Sequence, residues 1–341
     1  MKYTAILLTI VGFSALSLKA EEVEVNRAML GLFQPLPEVA ENAENPVTKE
    51  KTDLGRMLYY DERLSMNRSV SCNTCHALDD FGDDGLALAK GIHDHIAPRS
   101  SPTVYNSAIQ VAQFWDGRAK DVEEQALGPV LAGGEMGMPD ADYVVKVLKT
   151  IPGYVDAFKK AFPGDEDPVT FVNMGKAIGA FERLLQTPAP WDDFLKGDDS
   201  ALTNKQKHGL NVFLTTGCAT CHNGMGVGGH MFQKRGLVKE WPTEDLGRYS
   251  VTKNEAEKYF FKVPILRNVV ETGPYLHDGS AETIEEVVSQ MAEYQLGREL
   301  SDEDVDAIVD FLGALTGTID EKIIAKPELP ADGPDTPKGK S

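Results

Sequence analysis

The chain has 341 residues, 42% of them hydrophobic, and a formal net charge of −19. That length allows two domains, and so acidic a surface repels nucleic acid and acidic lipid while attracting a basic partner. Beyond the first twenty residues no apolar run is long enough to span a bilayer, so no membrane insertion is expected of the mature protein.

Met1-Lys2 is a short basic start, Ala5 to Leu18 is apolar, and Leu18-Lys19-Ala20 offers a small residue for cleavage, so residues 1–20 read as a secretory signal peptide. Residues 21–45 form an arm broken by Pro35 and Pro37. From Thr48 the pattern is helical, with Leu54, Met57 and Leu58 on one face leading to Cys72. Asp140–Lys149, Tyr154–Ala161 and Val169–Leu185 read as amphipathic helices, and Thr187-Pro188-Ala189-Pro190 as a linker, because proline cannot continue a helix. Thr203 caps a second helical lead-in, carrying Leu210, Phe213 and Leu214 toward Cys218. Gly224–Gly229 is a glycine-rich loop. Ser280 is expected to start one helix and Ser301 to cap another, and residues 326–341 should be an extended tail. The expected fold is mainly α, with little β structure, in two domains over 21–186 and 187–325.

The four cysteines fall in two copies of one pentad, Cys72-Asn73-Thr74-Cys75-His76 and Cys218-Ala219-Thr220-Cys221-His222. Cys-x-x-Cys-His is the c-type haem attachment pattern: two thiols add to the vinyl groups of one porphyrin, and the adjacent imidazole ligates its iron. One shared zinc, or disulfides, would use the cysteines but leave the repeated histidine unexplained. Two covalent haem c groups follow, with His76 and His222 as proximal ligands. Covalent haem attachment after export points to the periplasm.

The sixth position on each iron separates electron transfer from peroxide chemistry. For the second haem, Met291, Met225 and Met231 are candidates by residue type. Periodicity alone favours Met291 as a core residue, on the apolar face with Ile284 and Val288.

Several segments carry a family likeness, in order: Leu54-Gly55-Arg56-Met57-Leu58-Tyr59-Tyr60-Asp61, Ser101-Pro102-Thr103-Val104-Tyr105-Asn106, Gln113-Phe114-Trp115-Asp116-Gly117-Arg118-Ala119 and Gly134-Glu135-Met136. Ile151-Pro152-Gly153-Tyr154, Pro264-Ile265-Leu266-Arg267-Asn268-Val269, Pro274-Tyr275-Leu276-His277-Asp278-Gly279 and Gln295-Leu296-Gly297 follow. Through nearly all of its mature length the chain resembles the bacterial dihaem cytochrome c peroxidases.

The resemblance implies an enzyme that reduces hydrogen peroxide to water with electrons from a small periplasmic cytochrome c or cupredoxin, acting as a homodimer. It implies that the haem at Cys218, Cys221 and His222 receives electrons and has Met291 as its second ligand. The haem at Cys72, Cys75 and His76 would then be peroxidatic. Trp115 would lie between the haems, Glu135 would be the catalytic acid–base group, and Gln125 a polar neighbour. The family histidine that closes the peroxidatic iron before reductive activation falls on Ile92 here, so His93 is one residue out of register, with His95 the alternative. A family calcium site maps to Ser100, Thr272 and Pro274, with Ser100 replacing an amide, so Ca²⁺ is expected to be held more loosely. His277 is expected to be structural or propionate-linked. Relatives that modify a protein tryptophan carry Tyr in place of the methionine ligand, and Tyr294 lies three residues from Met291.

Overall fold

The computed structural model describes residues 23–340, so the signal segment lies outside the described residues. Helices dominate, and among the described residues the one named sheet is a two-stranded antiparallel ladder, Phe232–Lys234 against Phe260–Lys262. Side-chain caps start the main helices by satisfying amides that have no intrahelical acceptor. Thr48 accepts from the Lys51 amide before Lys49–Tyr59, Asp140 from Tyr143 before Ala141–Lys149, and Thr170 from Asn173 before Phe171–Glu182. Thr203 and Gln206 form a reciprocal capping box at Asn204–Thr216, and Ser301 caps Asp302–Gly313. Pro152 and Pro190 occupy first-turn positions, where their missing N–H is no loss.

The helix expected from Ser280 begins later. Thr283 is its cap and the helix runs Ile284–Leu296, while Ser280 donates through its amide and hydroxyl to the Asp278 carboxylate. That local turn competes with helix initiation, which sequence periodicity does not register.

Each half is built on one close helix crossing. In the first, Lys49–Tyr59 packs on Phe171–Glu182 with Gly55 at the crossing, where an added Cβ would lie 2.6 Å from the Ala177 carbonyl carbon. In the second, Asn204–Thr216 packs on Asp302–Gly313 with Gly209 at the crossing, 2.7 Å from the Ala307 carbonyl carbon by the same measure. Leu54, Leu58, Tyr59, Tyr154 and Phe181 form the first core; Phe33, Trp191, Leu210, Phe213 and Phe311 form the second.

The Thr187–Pro190 connection is locked rather than loose. Thr187 is fully buried; its hydroxyl accepts from Asn106 Nδ2 at 2.8 Å and Asn268 Nδ2 at 3.0 Å, and its amide donates to Asn106 Oδ1. Both asparagines adopt the left-handed conformation, with φ 57° and 62°, before a short 3₁₀ turn. One threonine thereby ties matching corners of the two halves.

The ends of the described chain cross over. Leu30 and Phe33 of the N-terminal arm enter the second core, and Leu36 donates to Asp192. The extended tail returns to the first half: Arg63 pairs with Asp332 at 2.8 Å, Thr150 meets Thr336, and the Lys340 amide donates to the Met66 carbonyl.

Candidate active site

In both pentads the histidine amide donates to the carbonyl of the first cysteine at 3.0 Å, so each imidazole is projected from a tight turn. Gly217, with φ 105°, ends the preceding helix and allows the second turn to begin at once. His222 Nδ1 lies 3.3 Å from the Val227 carbonyl, which leaves Nε2 as the nitrogen available to a metal. Burial holds the His222 imidazole near about 4 and lowers His76 likewise, so both are neutral donors at pH 7.

Burial pushes the Cys75 and Cys218 thiols up to about 11. A thioether carries no charge, so an apolar setting that disfavours thiolate suits the attached form. Each pair opens onto an apolar-walled cavity. A cysteine pair, a neutral imidazole and apolar walls together fit a c-type haem at each site.

The first cavity gathers Cys72, Cys75 and His76 with Glu135, Gln125 and Trp115. Burial raises the Glu135 carboxyl above its ordinary value, and the nearby Arg118 charge opposes that rise. Arg118 is itself held over the Phe114 ring at 3.4 Å and by Asp116 at 3.1 Å.

The second cavity gathers Cys218, Cys221, His222 and Met291. Ile284, Val288, Met291 and Gln295 of the Ile284–Leu296 helix line it. Tyr294 instead turns to stack edge-on against Trp241 at 4.5 Å and is not part of that wall. Met225 and Met231 are absent from the lining as well.

Trp115 lines both cavities. It sits in the turn Phe114–Gly117, closed by a Gln113–Ala119 bridge, with φ 65° at Phe114 and 69° at Gly117. The turn Leu276–Gly279 repeats that form: a Tyr275–Ala281 bridge, with φ 75° at Leu276 and 61° at Gly279. His277 is thus the structural counterpart of Trp115, and the two rings meet edge to face at 6.2 Å. Trp115 Nε1 donates to the Ser100 carbonyl at 3.0 Å, and the Ser100 amide donates to the His277 carbonyl at 2.9 Å. Ser100, Thr272 and Pro274 all border the second cavity; among the described residues no cluster of three His, Cys, Asp or Glu joins them to hold a metal.

His93 and His95 are exposed and line neither cavity. Ile92 between them and the pentad is buried, and its amide donates to the Glu135 carbonyl at 2.8 Å, pinning this loop to the Glu135 loop. Arg118, Arg235 and Lys262 were not singled out by sequence reasoning. The shared Asp-Gly-x-Ala of Asp116–Ala119 and Asp278–Ala281 is the signal that could have marked the paired turns.

Comparison with known proteins bears on the family. A family model described as di-haem cytochrome c peroxidase matches residues 49–200. Cytochrome c551 peroxidase of Pseudomonas aeruginosa is 44% identical over 90% of this chain and 90% of its own length. Cytochrome c551 peroxidase of Nitrosomonas europaea is 40% identical over 95% of this chain and 96% of its own. Among solved structures, a MauG-like protein associated with microbial copper homeostasis superposes with a TM-score of 0.76 at 25% identity, covering 86% of this chain and 97% of that one.

Proposed function

The chain belongs to the di-haem cytochrome c peroxidase family, and from that premise we propose how its two halves divide the work. It is a peroxidase oxidoreductase that carries two haem c groups, with hydrogen peroxide as substrate and a cytochrome as donor. One observation carries the division: Trp115 is a wall of both cavities, and only the first contains Glu135.

When bound, each haem c supplies an iron that exchanges single electrons, and an iron left open on one face supplies the position for peroxide. His76 and His222 would each hold one haem iron, and Met291 would be the second ligand of the haem that receives electrons. Glu135 takes the proton from the peroxide oxygen nearer the iron and returns it to the departing oxygen. A carboxyl lifted by burial is suited to move a proton both ways. Gln125 helps orient the peroxide, and Trp115 spans the gap for electrons. His93, or His95 in its place, would hold the first iron before reductive activation, from a loop that the Ile92 amide ties to the Glu135 carbonyl.

The same reading makes residues 1–20 an export signal, the mature enzyme periplasmic and homodimeric, and its donor a small periplasmic cytochrome c or cupredoxin. Residues 21–186 and 187–325 are its two haem domains, followed by the tail 326–341. Ser100 and the carbonyls of Thr272 and Pro274 hold Ca²⁺ weakly.

Peroxide turnover against a reduced donor tests the assignment. Glu135→Gln should lower turnover about 10²–10⁴-fold while both haem spectra persist, and unchanged turnover refutes it. Full activity of the oxidised enzyme without prior reduction would remove His93 and His95 from the mechanism.

A further inference from the structure

Arg235 follows the Phe232–Lys234 strand into the wall of the second cavity, and its side chain is only 7% exposed. Nη1 meets His277 Nδ1 at 2.6 Å and lies 3.5 Å from Asp278, and the guanidinium plane covers Trp241 at 3.9 Å. Nε and Nη2 are buried with no hydrogen-bond partner. Guanidinium presents its donors in a planar fork that matches a carboxylate, and unpaired buried donors mark a place where a ligand belongs.

The surrounding carboxylates do not fill that fork. Asp245 accepts from Arg99 at 2.7 and 2.8 Å, Asp116 from Arg99 and Arg118, and Asp278 from Ser280. His277 Nε2 makes no hydrogen bond, with Asp245 3.6 Å away, and Lys262, on the same wall, has Gln110 at 2.5 Å. Burial depresses Arg235 itself, as expected of a cation short of counter-charge. An otherwise apolar cavity therefore presents a concentration of buried donors, which suits an anionic edge on an apolar plate.

We propose that Arg235 Nε and Nη2 grip a propionate carboxylate of the haem attached at Cys218 and Cys221, and that this pair tunes the potential of that haem. The proposal rests on the haem reading of the second pentad. A guanidinium beside the propionate offsets its negative charge, so the reduced iron is favoured and the carboxylate stays ionised through neutral pH. The titratable and charged groups facing the fork are His277 and Asp278 from the paired turn, Asp245 with its Arg99 partner, and Lys262 across the wall with Asp116 beyond it.

Spectroelectrochemical titration of the purified holoenzyme, with haems counted by pyridine haemochrome, tests it. In Arg235→Met the second haem's midpoint should shift down and acquire a break between about pH 5 and 8 as the released propionate titrates. Arg235→Lys, keeping charge without the fork, should restore most of the midpoint and not the flat pH profile. A midpoint and profile identical to wild type with two haems present overturns the proposal. A count of one haem in the wild type would instead sink the underlying haem reading. Should Arg235→Met fail to accumulate, the wild-type profile still decides: flat across that range supports the grip, and a propionate-like break overturns it.

Discussion

Gly209→Ala should destabilise the second half even though alanine is the better helix former. Helix propensity favours the substitution by about 1 kcal/mol. Against it, the new methyl lands inside contact distance of the Ala307 carbonyl oxygen, 2.7 Å from its carbon and 3.0 Å from Phe311 Cβ. The obstruction is backbone, so it cannot swing aside; the helices must part by about 1 Å, and overpacking of this kind costs roughly 1–3 kcal/mol or more. The clash wins, and at about 2–4 °C per kcal/mol the holoenzyme should melt several degrees lower. Because Asp302–Gly313 also backs the helix bearing Met291, the methionine–iron charge-transfer band should be lost early in the melt. Gly313→Ala is the matched control: nothing lies within 4 Å of its added Cβ, so it should raise the melting temperature. Calorimetry on the two variants measures both, and an increase for Gly209→Ala comparable to that of Gly313→Ala would refute the reasoning.

Glu135→Gln should lower kcat/KM about 10²–10⁴-fold, read by steady-state peroxide turnover. In the wild type, activity should fall as pH drops through the burial-raised Glu135 value, and Arg118→Gln, which removes the opposing charge, should move that acid limb to higher pH. Met291→Ala should abolish the methionine–iron charge-transfer band, whereas Tyr294→Phe should leave it intact, because Tyr294 lies off the cavity wall. Arg267→Met should cost about 3–5 kcal/mol in denaturant unfolding, because it strands the buried Asp192 that Arg267 grips through two 2.8 Å bonds. Burial opposes ionisation of Asp192, but the Arg267 bonds and charge outweigh it and hold the carboxyl below its ordinary value. Its contribution is therefore whole above the unfolded carboxylate value and lost as pH falls through the depressed folded one.

Local chemistry was the readable part. Thr48, Asp140, Thr203 and Ser301 cap the helices their sequence signals announce, since a cap needs only a few neighbouring residues. The Cys-x-x-Cys-His spacing is equally local and marks both cavities. Ser280 misled because Asp278, two residues back, captures it first. The prolines after Thr187 announced a chain break but not its burial, which depends on Asn106 and Asn268, both 81 residues away. The pairing of Trp115 with His277 was hidden for a related reason. The two turns share backbone form and an Asp-Gly pair, while the residues that matter, an indole and an imidazole, are unlike. Arg235 has no motif around it, and its unmet donors become visible only once the cavity wall exists.

The crossing of the two chain ends means that sequence order and spatial membership diverge. A gene cut at Thr187 would give an upstream product bearing Leu30 and Phe33, made for the other product's core, and a downstream product bearing Asp332 and Lys340, whose partners stayed behind. Neither product is a self-sufficient module. Shuffling between relatives should therefore succeed when the exchanged block is the tail with the first haem unit, or the arm with the second. In the cell, Asp332 and Lys340 reach back to Arg63 and Met66, so the first unit is completed only after the second has been made.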